Sequence, residues 1–169
     1  MSLNSDRIKE LDFIHKLADS RMSLHSNHKS SRPLSVDYEF IGLLGEWEFS
    51  KITKLPMDTS LRPSGDRGID FKIGILTIDI KTARLAYNLL RERNKPHANV
   101  LVLARYIEKD SNIVFLGWEF DHVMLQQPYK DFGYGIINHY KAVELLKPMD
   151  KLYSTIKMLL DKENKNVFE

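Results

Sequence analysis

The chain contains no cysteine, so disulfides, thiolate nucleophiles and cysteine-held zinc or iron–sulfur centres are excluded at the outset. It also lacks any apolar run approaching the roughly 20 residues that a membrane-spanning helix needs. Asp6, Arg7, Lys9, Glu10 and Asp12 interrupt every candidate secretory stretch near the N-terminus, so the expectation is a cytoplasmic protein with no membrane partner. No P-loop, dinucleotide-binding glycine motif or Gly-x-Ser-x-Gly elbow is present, and no nucleotide cofactor is expected. Charge of one sign is missing too. The net charge of +2 is too small to announce a nucleic-acid binder by itself.

What is there is the composition of an ordinary folded protein, with 43% hydrophobic and 28% charged residues over 169 positions. That length suits one domain. The expected organisation is a single domain over 1–169, with an N-terminal helix and loop over 1–30, a core over 36–150 and a C-terminal helix over 150–162. Basic residues concentrate between Arg62 and Lys95, where Arg62, Arg67, Lys72, Lys81, Arg84, Arg91, Arg93 and Lys95 outnumber Asp66, Asp70, Asp79 and Glu92.

Ser5 reads as the cap of a first helix that runs to about Leu24, with Ile8, Leu11, Ile14, Leu17, Ala18 and Met22 at helical spacing. His25 to Pro33 has no apolar period and reads as an exposed connection. His15, His25 and His28 cluster around it without metal-ligand spacing. A second helix is predicted from about Val36 to Lys51, capped by Ser35, with the stripe Val36, Phe40, Leu43, Leu44 and Trp47. Gly42 and Gly45 each cost it about 1 kcal/mol of propensity, which calls for a packing reason such as close approach to a sheet.

Leu55 to Gly68 turns repeatedly through Pro56, Pro63, Gly65 and Gly68. Ile69–Ile73 and Ile75–Lys81 then read as a hairpin about Gly74, and Asn99–Tyr106 with Ile113–Trp118 as a second. Between them, Ala83 to Arg93 fits a helix by spacing, while Tyr87 to Leu90 also suits an extended segment, and both remain open. A short helical stretch to about Gln126, a loop through Pro128, Gly133 and Gly135, and a last helix bearing Leu152, Ile156, Leu159 and Leu160 complete the chain. This order predicts a mixed sheet of two hairpins flanked by helices.

Strand alternation points Asp79 and Lys81 to one face with Ile80 on the other. An acid and a base together in an apolar strand cost desolvation unless they pair with each other or with an ion. A hairpin turning at Gly74 brings Asp70 close to the level of Asp79, and two carboxylates there repel unless a cation lies between them. Glu46, one turn after Gly42 and beside the apolar stripe, is expected to face the sheet. The bland alternative is a structural Asp–Lys pair at a sheet edge.

An acid on an N-terminal helix, then an Asp, then Asp-x-Lys on the next strand resembles the PD-(D/E)XK nuclease superfamily. More narrowly, GEWEFSK (Gly45–Lys51), GDRGIDF (Gly65–Phe71), TIDIKTA (Thr77–Ala83), FLGW (Phe115–Trp118) and NHYKAVELLKPM (Asn138–Met149) are similar to small predicted nucleases of phages and prophages. The resemblance covers residues 36 to 150, and Ile69 stands where a proline often precedes the Asp. It implies an α/β, restriction-endonuclease-like core and catalytic residues Glu46, Asp70, Asp79 and Lys81. Asp70, Asp79 and the backbone carbonyl of Ile80 would hold Mg²⁺, with Mn²⁺ substituting and Glu46 reaching the ion through water. Lys81 would orient or help deprotonate the attacking water, and Arg67, Thr82 and Arg84 would lie against DNA.

The expected activity is a DNA endonuclease, homodimeric if it cuts both strands and located in host cytoplasm if phage-encoded. Two other readings stand beside it: a nuclease-fold module without catalysis that binds nucleic acid or a protein, and a protein-interaction domain in which the acids hold a structural ion. His139 and Tyr140 are weaker catalytic candidates, Trp47 and Trp118 read as core, and Tyr87, Tyr129, Phe132 and Tyr134 as packing residues that could also stack on unpaired bases.

Overall fold

The structure is a computed structural model that describes residues 4–24, 35–61 and 68–166. It is an α/β fold with two sheets: a mixed four-stranded sheet in the order β1-β2-β4-β5 and a three-stranded sheet in the order β3-β7-β6. The strands are β1 (Phe71–Ile73), β2 (Leu76–Ala83), β3 (Asn88–Glu92), β4 (Val100–Ile107), β5 (Asn112–Phe120), β6 (Tyr129–Asp131) and β7 (Ile137–Ala142). The helices are α1 (Ser5–Leu24), α2 (Tyr38–Thr53), the single turn α3 (Asp121–Met124) and α4 (Met149–Asn166). No helix among the described residues is long and apolar enough to cross a membrane.

Both expected hairpins form, β1 with β2 and β4 with β5, and the parallel pairing of β2 with β4 joins them into one sheet. Ile73 pairs with Leu76, so the first hairpin turns in two residues with Gly74 at φ 54°. A glycine first in such a turn matches the twist of the strands it connects. Ile75 therefore belongs to the turn, not to the strand, and β1 begins at Phe71 instead of Ile69.

Alternation sorts the residues of the large sheet. Ile78 and Ile80 of β2, Val100, Val102 and Ala104 of β4, and Trp118 of β5 face the helices, where they join Ile14, Leu17, Phe40, Leu43, Leu44, Phe49, Leu152 and Ile156 in the main core. On the opposite face Leu101 and Leu103 pack with Leu89 of β3 and Met124 of α3 beneath the small sheet. The molecule thus has helices on one side of the large sheet and the small sheet on the other.

Several sequence expectations are corrected. Ala83–Arg93, left open between helix and strand, bends after β2 and then forms β3 at Asn88–Glu92, and the stretch read as a loop around Gly133 and Gly135 carries β6 and β7. The cap of α1 is Asn4, whose Oδ1 accepts the Arg7 amide at 2.8 Å, so Ser5 is already helical. Asp37, not Ser35, occupies the cap position of α2, which starts at Tyr38. Val36 and Ile8 lie on the surface, outside the stripes assigned to them. His15 stacks face to face on Phe40 at 3.7 Å, while His25, His28, Pro33, Pro63, Gly65 and Arg67 lie outside the described residues.

Candidate active site

Helix α2 seats directly on β2 at one point. A Cβ built on Gly45 would stand 2.0 Å from Thr82 Oγ1 and 3.2 Å from Thr82 Cβ, so only glycine permits this separation. Gly42 meets nothing within 4 Å and has no such reason. The contact holds Glu46, half-buried, next to the strand that carries Asp79 and Lys81. Yet Ile80 and Thr82 face α2, and alternation sends Asp79 and Lys81 to the other face. Glu46 can join them only around the edge of β2.

Among the described residues, no strand pairs with that edge beyond Ile78. The β1–β2 ladder ends at Phe71–Ile78, and the preceding residue, Asp70, donates its amide to Ile78 O at 2.9 Å. Asp70 Oδ2 then accepts the Ile80 amide at 2.6 Å. Its carboxylate brackets the Asp79 position, and the Ile80 carbonyl leaves along the same edge as the Ile80 amide.

Asp79 is almost fully buried, with its side chain 4% exposed. Lys81 Nζ lies 2.5 Å from Asp79 Oδ2, but outside hydrogen-bonding direction, so that oxygen accepts no hydrogen bond among the described residues. Lys81 is 40% exposed and opens onto a cleft of about 460 Å³ that is also lined by Gly68, Leu90, Glu92, Lys95, His97 and Asn138. Gly68, at φ 74°, borders Asp79: a Cβ there would lie 3.9 Å from Oδ2. His97 comes closest of the unforeseen residues, its Nδ1 4.0 Å from Asp79 Oδ2.

Buried carboxylate oxygens normally have a donor, and one that lacks it fits a hard cation. Asp79, Asp70 and the Ile80 carbonyl would supply oxygen donors of that kind, although among the described residues no three His, Asp or Glu side chains are gathered as a ready-made metal cage. Mg²⁺ usually takes only one or two protein carboxylates and leaves its other positions to water and phosphate oxygens. The donor set fits such an ion.

The remaining candidates lie apart from this group or are held by other contacts. Arg84 makes a two-point pair with Asp37, at 2.6 and 3.2 Å, and lies over the Tyr106 ring. The Arg84 hydrogen bonds hold the Asp37 carboxyl below its ordinary range. Thr82 Oγ1 is buried beneath Gly45 without a hydrogen bond. His139 is buried with Nδ1 2.9 Å from Gln127 O, and Trp118 is core. Tyr87, Tyr129, Phe132 and Tyr134 are on the surface.

Glu119 on β5 went unread in the sequence, although a charge in the run Trp118-Glu119-Phe120 carries the same signal as Asp79. Its register, through Leu101, places it in one row with Asp79 on the same face of the sheet. Glu119 is fully buried and pairs with Lys141 at 2.5 Å and with Lys147. Burial pushes its carboxyl up, but hydrogen bonds from both lysines and the Phe120 amide outweigh burial and leave it below its ordinary value. Comparison with protein-family models, curated proteins and solved structures yields no match.

Proposed function

We propose that the chain is a divalent-cation-dependent phosphodiesterase acting on DNA, with a restriction-endonuclease-like core that works as a homodimer where both strands are cut. The observation that carries this reading is the Asp79 Oδ2 atom: buried, without a hydrogen bond among the described residues, and in contact with a half-exposed lysine that lines an open cleft. A purely structural carboxylate at that depth would be expected to take hydrogen bonds from its surroundings.

Asp79 and Asp70 would hold Mg²⁺ or Mn²⁺, with the Ile80 carbonyl on the same strand edge and Glu46 approaching around it. The ion, when bound, supplies Lewis-acid polarisation of the phosphate and lowers the pKa of water. Lys81 is tethered on the Asp79 face with enough exposure to reach a phosphate in the cleft. There its ammonium offsets charge that develops on the phosphoryl oxygens and orients the attacking water. The cleft rim adds Lys95, although Glu92 pairs with it at 3.0 Å.

The direct 2.5 Å approach of Lys81 to Asp79 favours a second reading, a catalytically silent module in which the two form a structural pair. One assay separates them. Plasmid, linear and single-stranded DNA and RNA are incubated with wild type, Asp79→Asn or Lys81→Ala in Mg²⁺, Mn²⁺ or EDTA. Metal-dependent cleavage that falls by about 10²-fold or more in both variants is expected. Absence of cleavage by wild type with either metal on every substrate refutes the enzyme reading.

A further inference from the structure

His97 lies in the segment between β3 and β4, and its side chain is 6% exposed. One ring nitrogen has a defined partner: Nε2 is 2.8 Å from the Glu92 carbonyl oxygen. A carbonyl only accepts, so Nε2 carries the proton and, in the neutral ring, Nδ1 presents its lone pair. That lone pair is buried, has no hydrogen-bond partner, and faces Asp79 Oδ2 across 4.0 Å. Two buried acceptors, neither with a hydrogen bond among the described residues, converge on one small space, and of the two the Lys81 ammonium contacts only the Asp79 oxygen. Such a pair is unfavourable unless something positive lies between them.

Among the described residues the candidates are Lys81 and Lys95. Lys81 touches Asp79, yet no hydrogen bond joins it to His97 Nδ1, and Lys95 is engaged by Glu92. The separation of 4.0 Å is too long for a direct hydrogen bond. Neighbouring donors on one ion, with bonds of about 2.0–2.2 Å, stand about 3 Å apart, so an approach of about 1 Å between the two side chains would let both bind it. The remote side of the ring supports the same conclusion, because metal-binding histidines characteristically donate their other N–H to a backbone carbonyl, which fixes tautomer and ring orientation.

We infer that His97 Nδ1 is a nitrogen donor to the cation held by Asp79, so that the site prefers Mn²⁺ to Mg²⁺. This deepens the proposed function and rests on its assignment of a cation to Asp79. An imidazole donor is poorly matched to Mg²⁺, which favours oxygen and holds its waters, whereas later divalent ions of the first transition row accept nitrogen readily. Lys81, being half-exposed, can leave Oδ2 when the ion enters.

The test uses the full chain and Mn²⁺ alone. Pulsed electron paramagnetic resonance reads nitrogen hyperfine coupling to the bound ion, and calorimetry reads Mn²⁺ and Mg²⁺ affinities for wild type, Asp79→Asn, His97→Ala and His97→Gln. Imidazole coupling in wild type is expected, with Mn²⁺ bound more tightly than Mg²⁺. Both His97 variants should abolish the coupling and weaken Mn²⁺ by at least about tenfold, with a smaller effect on Mg²⁺. The wild-type spectrum needs no variant to fold. Mn²⁺ bound through Asp79 without nitrogen coupling, or coupling that survives in both His97 variants, overturns the role of His97 while the cation reading stands. Failure of wild type to bind either ion overturns both.

Discussion

Two glycines of α2 offer an internally controlled test of how the helix is seated. Gly42→Ala adds a methyl that meets nothing within 4 Å, so it should gain the full helix propensity, about 1 kcal/mol. Gly45→Ala gains the same propensity but drives its methyl to 2.0 Å from Thr82 Oγ1, where ordinary contact begins at 3.4 Å. Turning Thr82 about χ1 moves the oxygen but leaves Cβ at 3.2 Å and displaces a stiff β-branched side chain, so α2 itself must lift. Overpacking of this kind costs about 1–3 kcal/mol, and that is the expected gap between the two variants, with propensity cancelling. Thr82→Ala should close most of the gap in the double variant, because the Thr82 hydroxyl makes no hydrogen bond that its removal would sacrifice. Urea unfolding of wild type, the three single variants and the Gly45→Ala/Thr82→Ala pair measures all of this. If Gly45→Ala is as stabilising as Gly42→Ala, or Thr82→Ala brings no rescue, the close seating of α2 on β2 is refuted.

Asp79→Asn should change stability in metal-free buffer by less than about 1 kcal/mol, because the Lys81 ammonium is 40% exposed and its ion pair is screened by water. A fall in Tm of many degrees would identify a structural Asp–Lys pair instead. Glu119→Gln should behave in the opposite way, costing about 3–5 kcal/mol at neutral pH, since Lys141 is only 14% exposed and loses its counter-charge. The Glu119 carboxyl is held below its ordinary value of 4.5, so its contribution is complete above that pH and is lost as pH falls through the lower folded value. Denaturant midpoints taken from about pH 7 down to pH 3 should therefore show an acid limb in wild type that flattens in Glu119→Gln; equal limbs would disprove the linkage.

The hairpins were legible because their signals are local. Apolar runs mark the strands, Gly74 marks the first turn, and alternation inside β2 separates Asp79 and Lys81 from Ile80 without any tertiary information. The small sheet was not, for equally local reasons. In β7 the buried positions are Asn138 and His139, adjacent and polar, so no period of two appears. In β3 Leu89 alternates with a buried arginine, Arg91, that becomes tolerable only through Asp121 at 2.7 Å. Every residue of β6 is exposed. Each of these strands depends on partners distant in the chain, which pattern alone does not supply.

The same distinction separates the parts of the site. Asp70 and Asp79 share a hairpin, and their proximity follows from a two-residue turn. His97 reaches Asp79 only because β4, the strand it precedes, lies parallel to β2, an arrangement that requires the chain to cross through β3 first. Glu46 depends on a third element and approaches from the helix side. Lys81, His97 and Asn138 line the cleft, whereas α2 packs on the other face of β2, and the two sides meet at the β2 edge beyond Ile78. Extending β1 by pairing further along β2 would complete the ladder and close that edge. Asp70 instead takes the Ile80 amide on its carboxylate, which satisfies the backbone there without a further strand residue. The position that ends the β1–β2 ladder is thus also the one whose carboxylate is fixed beside Ile80, the residue between Asp79 and Lys81.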